Sequence, residues 1–309
     1  MADKFIHITN GDALTSRLNQ LFPGESFITW NEILCEGPAT TDVLSEEFIA
    51  LRTNFLIENF EGSTDRYREF TKQFENIDWP SYEGIVLWFE FDLFCQVNLA
   101  AVVHLYKYLV LVLDLHLFLV CSGKIDGTDR LFGLNELNDD QIHNHYKNKV
   151  KLTTNEVDLL VDFWNLYTSE DPSKLAAVSF ENETLQYLEA AKLAHVTRFP
   201  DALSGINYPE RMVLEAISEN AISNERKLIG HLLRNQGYYG FGDLQWEKVV
   251  DKMSPFFTTN GTLCLTSEGE KVLISELNII DRMKDDTQFG GSLKYDYFYD
   301  RTSKKLITA

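Results

Sequence analysis

Short apolar runs alternate with stretches of helical spacing through the first 120 residues, and each switch falls at a polar cluster. Residues 4–9 predict a strand, punctuated by Asn10-Gly11-Asp12. Leu14, Leu18 and Leu21 then recur at helical spacing, which predicts a helix over 13–22 with Asp12 as its N-cap. Pro23-Gly24 ends that helix, and 25–30 predicts a second strand. The loop after it carries Cys35-Glu36-Gly37-Pro38, whose Gly-Pro signals a tight turn. Short connections in this β-α-β order favour a parallel sheet.

Residues 41–77 read as a helical insertion, with Phe48, Leu51, Phe55, Ile57, Tyr67, Phe70 and Phe74 as apolar positions and Gly62-Ser63 as the break. A third strand is predicted at 84–90, a helix at 93–109 and a fourth strand within 115–121. Residues 124–138 predict a loop, followed by helices at 139–149, 153–167 and 183–195. From Pro209 the pattern turns mostly helical, with helices at 209–220, 224–234 and 243–253. Two strand-like arms around Asn260-Gly261, the strongest short hairpin signal, come next, then a helix over 267–277. The tail, from Phe289-Gly290-Gly291 to Thr308, reads as a final hairpin. The expected fold is α/β: a parallel-sheet, Rossmann-like N-terminal domain over 1–123, a helical connecting region over 124–205, and a winged-helix-like module with a C-terminal hairpin over 206–309.

Composition narrows the function more than the fold. The chain of 309 residues carries 47 acidic against 28 basic side chains, a formal charge of −19. Such a balance repels nucleic acid and anionic membrane, so neither is an expected partner. Within 209–285 the winged-helix-like module has nine basic against twelve acidic residues, and its wing tip at Thr259-Asn260-Gly261-Thr262 has no Lys or Arg. A DNA reader ordinarily presents a basic face. The apolar stretch 97–120 is interrupted by His104, Lys107, Asp114 and His116, which favours a core helix and a core strand over a membrane span. Four separated cysteines form no CxxC pair and match no zinc motif, and they predict free thiols in a reducing compartment. With no signal peptide ahead of the first strand, the expected location is cytoplasmic.

The candidate chemistry gathers where predicted strands end. Asn10, Gly11, Asp12, Glu36, Glu90, Asp92 and Gln96 each follow a strand, so a parallel sheet would bring them towards its carboxyl edge, where open α/β folds bind ligands. Paired carboxylates there can hold Mg²⁺, divide acid and base roles, or accept from ribose hydroxyls. Glu90 and Asp92 are the candidate catalytic pair, and Asn10, Gly11, Asp12, Glu36 and Gln96 the candidate ligand-binding residues. Against this stands a plainer account, in which Asp12 and Asp92 cap helices and Glu36 pairs with a basic neighbour. His7, alternating with apolar residues, reads as a core histidine. Arg198 and Arg211 are candidate anion clamps, or equally salt-bridge partners.

Four strings, His7-Ile-Thr-Asn-Gly-Asp12, Leu34-Cys-Glu-Gly-Pro38, Leu87-Trp-Phe-Glu-Phe-Asp-Leu-Phe-Cys-Gln96 and Pro209-Glu-Arg-Met-Val-Leu214, occur in an order that resembles the bacterial family called domain of unknown function 1835. The resemblance covers most of 4–121 and, more thinly, the C-terminal half. Many similar sequences carry His where this chain has Phe91. The family has no established activity, so the resemblance adds no reaction. The leading expectation is a cytoplasmic protein that binds a small polar, nucleoside- or sugar-like ligand at the sheet edge, with hydrolase or transferase chemistry if it is an enzyme. The alternative is a ligand-sensing, transcription-associated regulator that uses the winged helix on DNA or a protein partner.

Overall fold

A computed structural model describes residues 4–309 apart from 61, 126 and 129. In chain order the first part contains β1 (Phe5–Asn10), α1 (Asp12–Leu21), β2 (Ser26–Trp30), the two-residue β3 (Gly37–Pro38), α2 (Glu46–Asn59), α3 (Thr64–Lys72), β4 (Gly84–Phe89), α4 (Leu93–Leu113) and β5 (His116–Cys121). The middle adds α5 (Asp139–Lys147), β6 (Val150–Lys151), α6 (Thr154–Tyr167), α7 (Pro172–Ala177) and α8 (Leu188–Val196). The last part holds α9 (Tyr208–Glu219), α10 (Glu225–Asn235), α11 (Asp243–Met253), β7 (Phe257–Asn260), β8 (Thr262–Leu265), α12 (Ser267–Leu273) and α13 (Ile280–Met283). It closes with β9 (Gln288–Gly290), β10 (Ser292–Leu293), β11 (Tyr297–Asp300) and β12 (Lys305–Thr308).

The expected α/β class holds. Five strands form one sheet in the order β2-β1-β4-β5-β6, parallel except for the antiparallel edge strand β6. Alternation along the strands separates two cores. Ile6, Ile8, Ile85, Leu87, Leu117 and Leu119 face the larger core with α4, while Val86, Trp88 and Val120 face α1 through Leu14 and Leu18. Each such side chain gains about 1.5–3 kcal/mol on leaving water. Helix α4 lies between the sheet and α6 and α8. Its first four turns are buried on nearly every side, which explains an apolar run without amphipathic spacing.

Several boundaries depart from the sequence reading. Asp12 is not the N-cap of α1; Gly11, at φ 97°, holds that position without a side-chain bond. Helix α4 continues past 109 to Leu113, because nothing breaks it until Asp114 turns left-handed at φ 53°. The helix expected from 183 starts at Leu188, since the Asn182 side chain accepts from the backbone N–H groups of Thr184 and Leu185 and holds a turn there. The helix expected to 277 stops at Leu273, ahead of Ser275 at φ 62°. Gly37-Pro38 is a strand rather than a tight turn, pairing in parallel with β9 from the tail. The tail makes two hairpins, β9–β10 and β11–β12, in place of one. Nothing in the hydrophobic pattern marks the short elements β6, α7 and α13. The Asn-Gly hairpin, β7–β8, forms as expected around Gly261. Of the cysteines, Cys35 and Cys95 are buried, Cys121 is half-buried and Cys264 is exposed, all free.

Candidate functional site at the carboxyl edge of the sheet

Among the parallel strands, β1 and β4 are neighbours whose connections leave in opposite directions, one through α1 to β2 and the other through α4 to β5. A crevice opens at the carboxyl ends of such a strand pair, and ligands of open α/β sheets bind there. Here β1 ends in Asn10 and Gly11, and β4 leads into Glu90, Phe91 and Asp92. Positive φ at Gly11 turns the chain out of β1, and its N–H bonds to the Trp30 carbonyl at 3.1 Å. Asp92 caps α4, its Oδ1 accepting from the Cys95 N–H at 2.8 Å.

A ladder of amides, buried at Gln96 and Asn98 and half-buried at Asn10, joins these strand ends. Gln96 Nε2 donates to the Glu90 carbonyl at 2.6 Å, and Asn10 Nδ2 donates to Cys95 Sγ at 3.0 Å. Asn98 Nδ2 donates to Asn10 Oδ1 at 2.9 Å and to the Glu32 carbonyl at 2.8 Å. Glu90 Oε1 accepts from the Leu134 N–H at 2.6 Å. Glycine backbones press on both carboxylates: a Cβ on Gly240 would meet Asp92 Cγ at 2.2 Å, and one on Gly133 would meet Glu90 Oε2 at 2.8 Å. Burial, then the charge of Asp92, raises the Glu90 carboxyl, and burial raises that of Asp92 against the bond from Cys95. Burial and the two acids push the Cys95 thiol well up, which disfavours a nucleophilic thiolate.

The predicted set divides into three groups. Glu90, Asp92, Gln96 and Asn10 come together at the crevice. Asn10, Gly11 and Asp12 also line a cavity of about 640 Å³ over the ends of β1 and β2, with walls from α2, α3 and the turn between them. Asp12 accepts there from Asn31 Nδ2 at 3.0 Å. Glu36 belongs to a second cavity of about 610 Å³, walled by α2, α9, α11 and the tail. Its carboxylate accepts from Gln245 Nε2 at 3.1 Å and lies 3.6 Å from the Arg198 guanidinium. Arg198 is buried, donates to the Cys35 carbonyl and contacts His195 Nδ1 at 2.8 Å. Arg211 donates to the Leu273 carbonyl at 2.6 Å. The plainer account thus fits Asp92 as a cap and Glu36 as a paired acid, and it fails for Asp12 as a cap.

Sequence reasoning passes over Asn98, Trp30 and the Glu32–Arg52–Tyr67 group. Asn98 carries a signal, a fully buried amide among the apolar residues of α4. Trp30 lines the 640 Å³ cavity, is fully buried, and its indole N–H has no partner among the described residues. Glu32 and Arg52 form an ion pair at 2.8 Å with both side chains inaccessible, and Tyr67 donates its hydroxyl to the same carboxylate.

No family model and no curated protein matches the chain. Among solved structures it is similar to the Plasmodium falciparum topoisomerase II DNA-binding, cleavage and re-ligation domain, at 12% identity and a TM-score of 0.47, over 84% of this chain and 43% of that one. The chain therefore spans less than half the length of that structure, and a likeness of this size supports no functional conclusion.

Proposed function

We propose that this is a cytoplasmic protein, of the kind its resemblance to domain of unknown function 1835 implies, that binds a small polar, nucleoside- or sugar-like ligand at the carboxyl edge of its sheet. The observation that carries this reading is the 640 Å³ cavity at the ends of β1 and β2. Its walls pair the partly exposed rings of Phe60 and Phe94, above the buried Trp30 and Phe70, with the polar groups of Asp12, Asn31 and Gln73. Rings stack on such faces while hydroxyls and ring nitrogens find carboxylate and amide partners. The charges lining it are Asp12 and Glu69 against Arg66, with Glu32 already neutralised by Arg52, a balance that does not favour a bare phosphate. Any hydrolase or transferase step would run through Glu90 and Asp92, which lie outside the cavity lining, within 4.8 Å of the Cys95 sulfur to which the lining residue Asn10 donates. Two carboxyls in one crevice can divide acid and base roles.

The 206–309 part, with its order of three helices, hairpin and helix, serves in this reading as a winged-helix-like interaction or lid element. Helix α11, which would enter a major groove, gives one face to the rest of the chain: Gln245 to Glu36, and Lys248 Nζ to the Asn59 carbonyl at 2.7 Å.

A thermal-shift screen against nucleosides, nucleotides, sugars and sugar phosphates tests the proposal, because a ligand that binds only the folded chain raises its melting temperature. A nucleoside or sugar hit that weakens at least tenfold in Asp12→Ala, with turnover lost in Glu90→Gln, is expected. No hit in those classes, or a hit indifferent to Asp12→Ala, overturns it.

A further inference from the structure

Glu36 and Arg198, both singled out in the sequence, meet away from the Glu90–Asp92 crevice, in the lining of the 610 Å³ cavity. That volume lies within the range of small-molecule sites, about 300–1,000 Å³. The cavity shares Phe60, just past the end of α2, with the 640 Å³ cavity and is otherwise built from different residues.

Packing leaves its buried charges incompletely bonded. Arg198 is 1% exposed, and its Nη1 donates to the Cys35 carbonyl while Nη2 meets His195 Nδ1 at 2.8 Å. Its Nε, also buried, has no partner among the described residues. Two other lining residues hold the guanidinium in place: its carbon stands 3.9 Å from the centre of the Phe289 ring, and Nη1 is 3.6 Å from Glu36 Oε1. At 3.6 Å the two charges share no hydrogen bond. The Glu36 carboxylate accepts, among the described residues, from Gln245 Nε2 alone, through Oε1. Lys294, 4% exposed and also in the lining, has three N–H groups and donates to Glu210 Oε1 at 2.8 Å. Buried donors without acceptors are costly, so a ligand that supplies acceptors to Arg198 and a donor to Glu36 is favoured.

Charge selects the kind of ligand. A plain anion would suit Arg198 and Lys294 but would face Glu36, Glu210 and the rim acids Glu58 and Asp286. A plain cation would suit the acids but would face Arg198, Lys294 and the rim residue Lys248. A molecule carrying both charges is complementary to both sets. Phe55, Phe241, Leu51 and Val249 supply apolar wall beside them. We infer that this cavity binds a zwitterionic α-amino acid with an apolar side chain, its carboxylate towards Arg198 and its ammonium towards Glu36. The inference goes beyond the nucleoside- or sugar-like ligand proposed at the sheet edge and does not rest on it.

Isothermal titration calorimetry of the full chain with L-phenylalanine and L-leucine tests the site, with 3-phenylpropionate and phenethylamine as single-charge controls. Saturable binding of both amino acids is expected, with each control at least tenfold weaker than L-phenylalanine. Glu36→Gln retains an acceptor for Gln245 and removes the charge, so it should melt near the parent while binding L-phenylalanine at least tenfold more weakly. Val249→Trp, from a half-buried position on α11, fills the cavity without removing a polar group and should abolish binding. No binding of either amino acid at millimolar concentration, a control that binds as well as L-phenylalanine, or undiminished affinity in a folded variant overturns the site. The probes include no nucleoside or sugar, so failure here is distinct from failure of the thermal-shift screen.

Discussion

His7 shows how one residue can be read correctly in type and still hold an unexpected physical consequence. It is fully buried among Phe22, Phe27, Trp88 and Tyr146, and its Nδ1 accepts from the Trp88 indole at 3.0 Å. Burial, then the charge of Lys149, lowers its pKa from 6.5 to about 4, although Glu25 lies 3.7 Å from Nε2. Because the folded value lies below the free one, the stabilisation is whole above pH 6.5 and is lost as pH falls towards 4. The shift corresponds to about 3 kcal/mol. His7→Gln keeps an acceptor for the indole and removes the titration, so its urea stability should fall that much less than the parent's between pH 7 and 4. Parallel pH slopes would refute this account. Other single residues are legible in proportion to how local their partners are. Asp92 caps the helix it precedes, and three residues of sequence suffice to foresee that. Glu36 takes its partners from Arg198 and Gln245, far along the chain, and only their type can be foreseen. Asp12 loses its expected role because Gly11, with positive φ, already ends the strand one residue earlier.

At the scale of elements, hydrophobic periodicity finds helices well and finds their anchors poorly. Both helices of the 41–77 insertion form, yet α2 buries Phe48 and Arg52 while Ile57 stays 45% exposed. Arg52 is the anchor: it pairs with Glu32 and also donates to the carbonyls of Ile33, Glu36 and Pro38, so one guanidinium holds the whole loop between β2 and β3. Its partners lie 14 to 20 residues away, outside any helical window. Arg52→Met should cost about 3–5 kcal/mol in chemical denaturation, since it leaves the Glu32 charge buried alone. Adding Glu32→Leu should recover part of that loss, because the stranded charge goes with it. A double variant no more stable than Arg52→Met would show that the carbonyl contacts, not the ion pair, anchor the loop. The sheet needs no such long-range knowledge. Its four parallel strands are apolar runs, and the short β1–α1–β2 and β4–α4–β5 connections carry the class and the parallel sense, while the antiparallel edge strand β6 leaves no such mark.

Over the whole molecule, the feature hidden from local patterns is the closure of the tail onto the N-terminal part. Strand β9 pairs with β3, the Ala39 N–H bonds to the Gly290 carbonyl at 2.9 Å, and the Gly291 N–H reaches the Tyr167 carbonyl at 3.2 Å. Lys294 and Glu210 add a buried ion pair at 2.8 Å between the tail and α9. These contacts wall the 610 Å³ cavity and hold the loop that carries Glu36, so the tail helps shape the surroundings of the sheet edge. Gly290 is where the closure can be tested. Its φ is 62°, and a Cβ there would meet the Tyr167 carbonyl oxygen at 2.2 Å. The left-handed backbone alone costs an L side chain about 1–2 kcal/mol. Displacing the carbonyl adds to that. Gly261 sits at φ 78° in the β7–β8 turn, where a Cβ would meet nothing within 4 Å, so it carries the backbone cost alone. Gly290→Ala should therefore lower the denaturation midpoint clearly more than Gly261→Ala. If the closure couples the tail to the sheet, tryptophan fluorescence, with Trp30 and Trp88 in the sheet and Trp164 and Trp246 in helices, should follow the same single transition as far-ultraviolet circular dichroism. Equal shifts in the two variants, or a tail that melts while the tryptophans hold, would mean that the sheet edge is built without it.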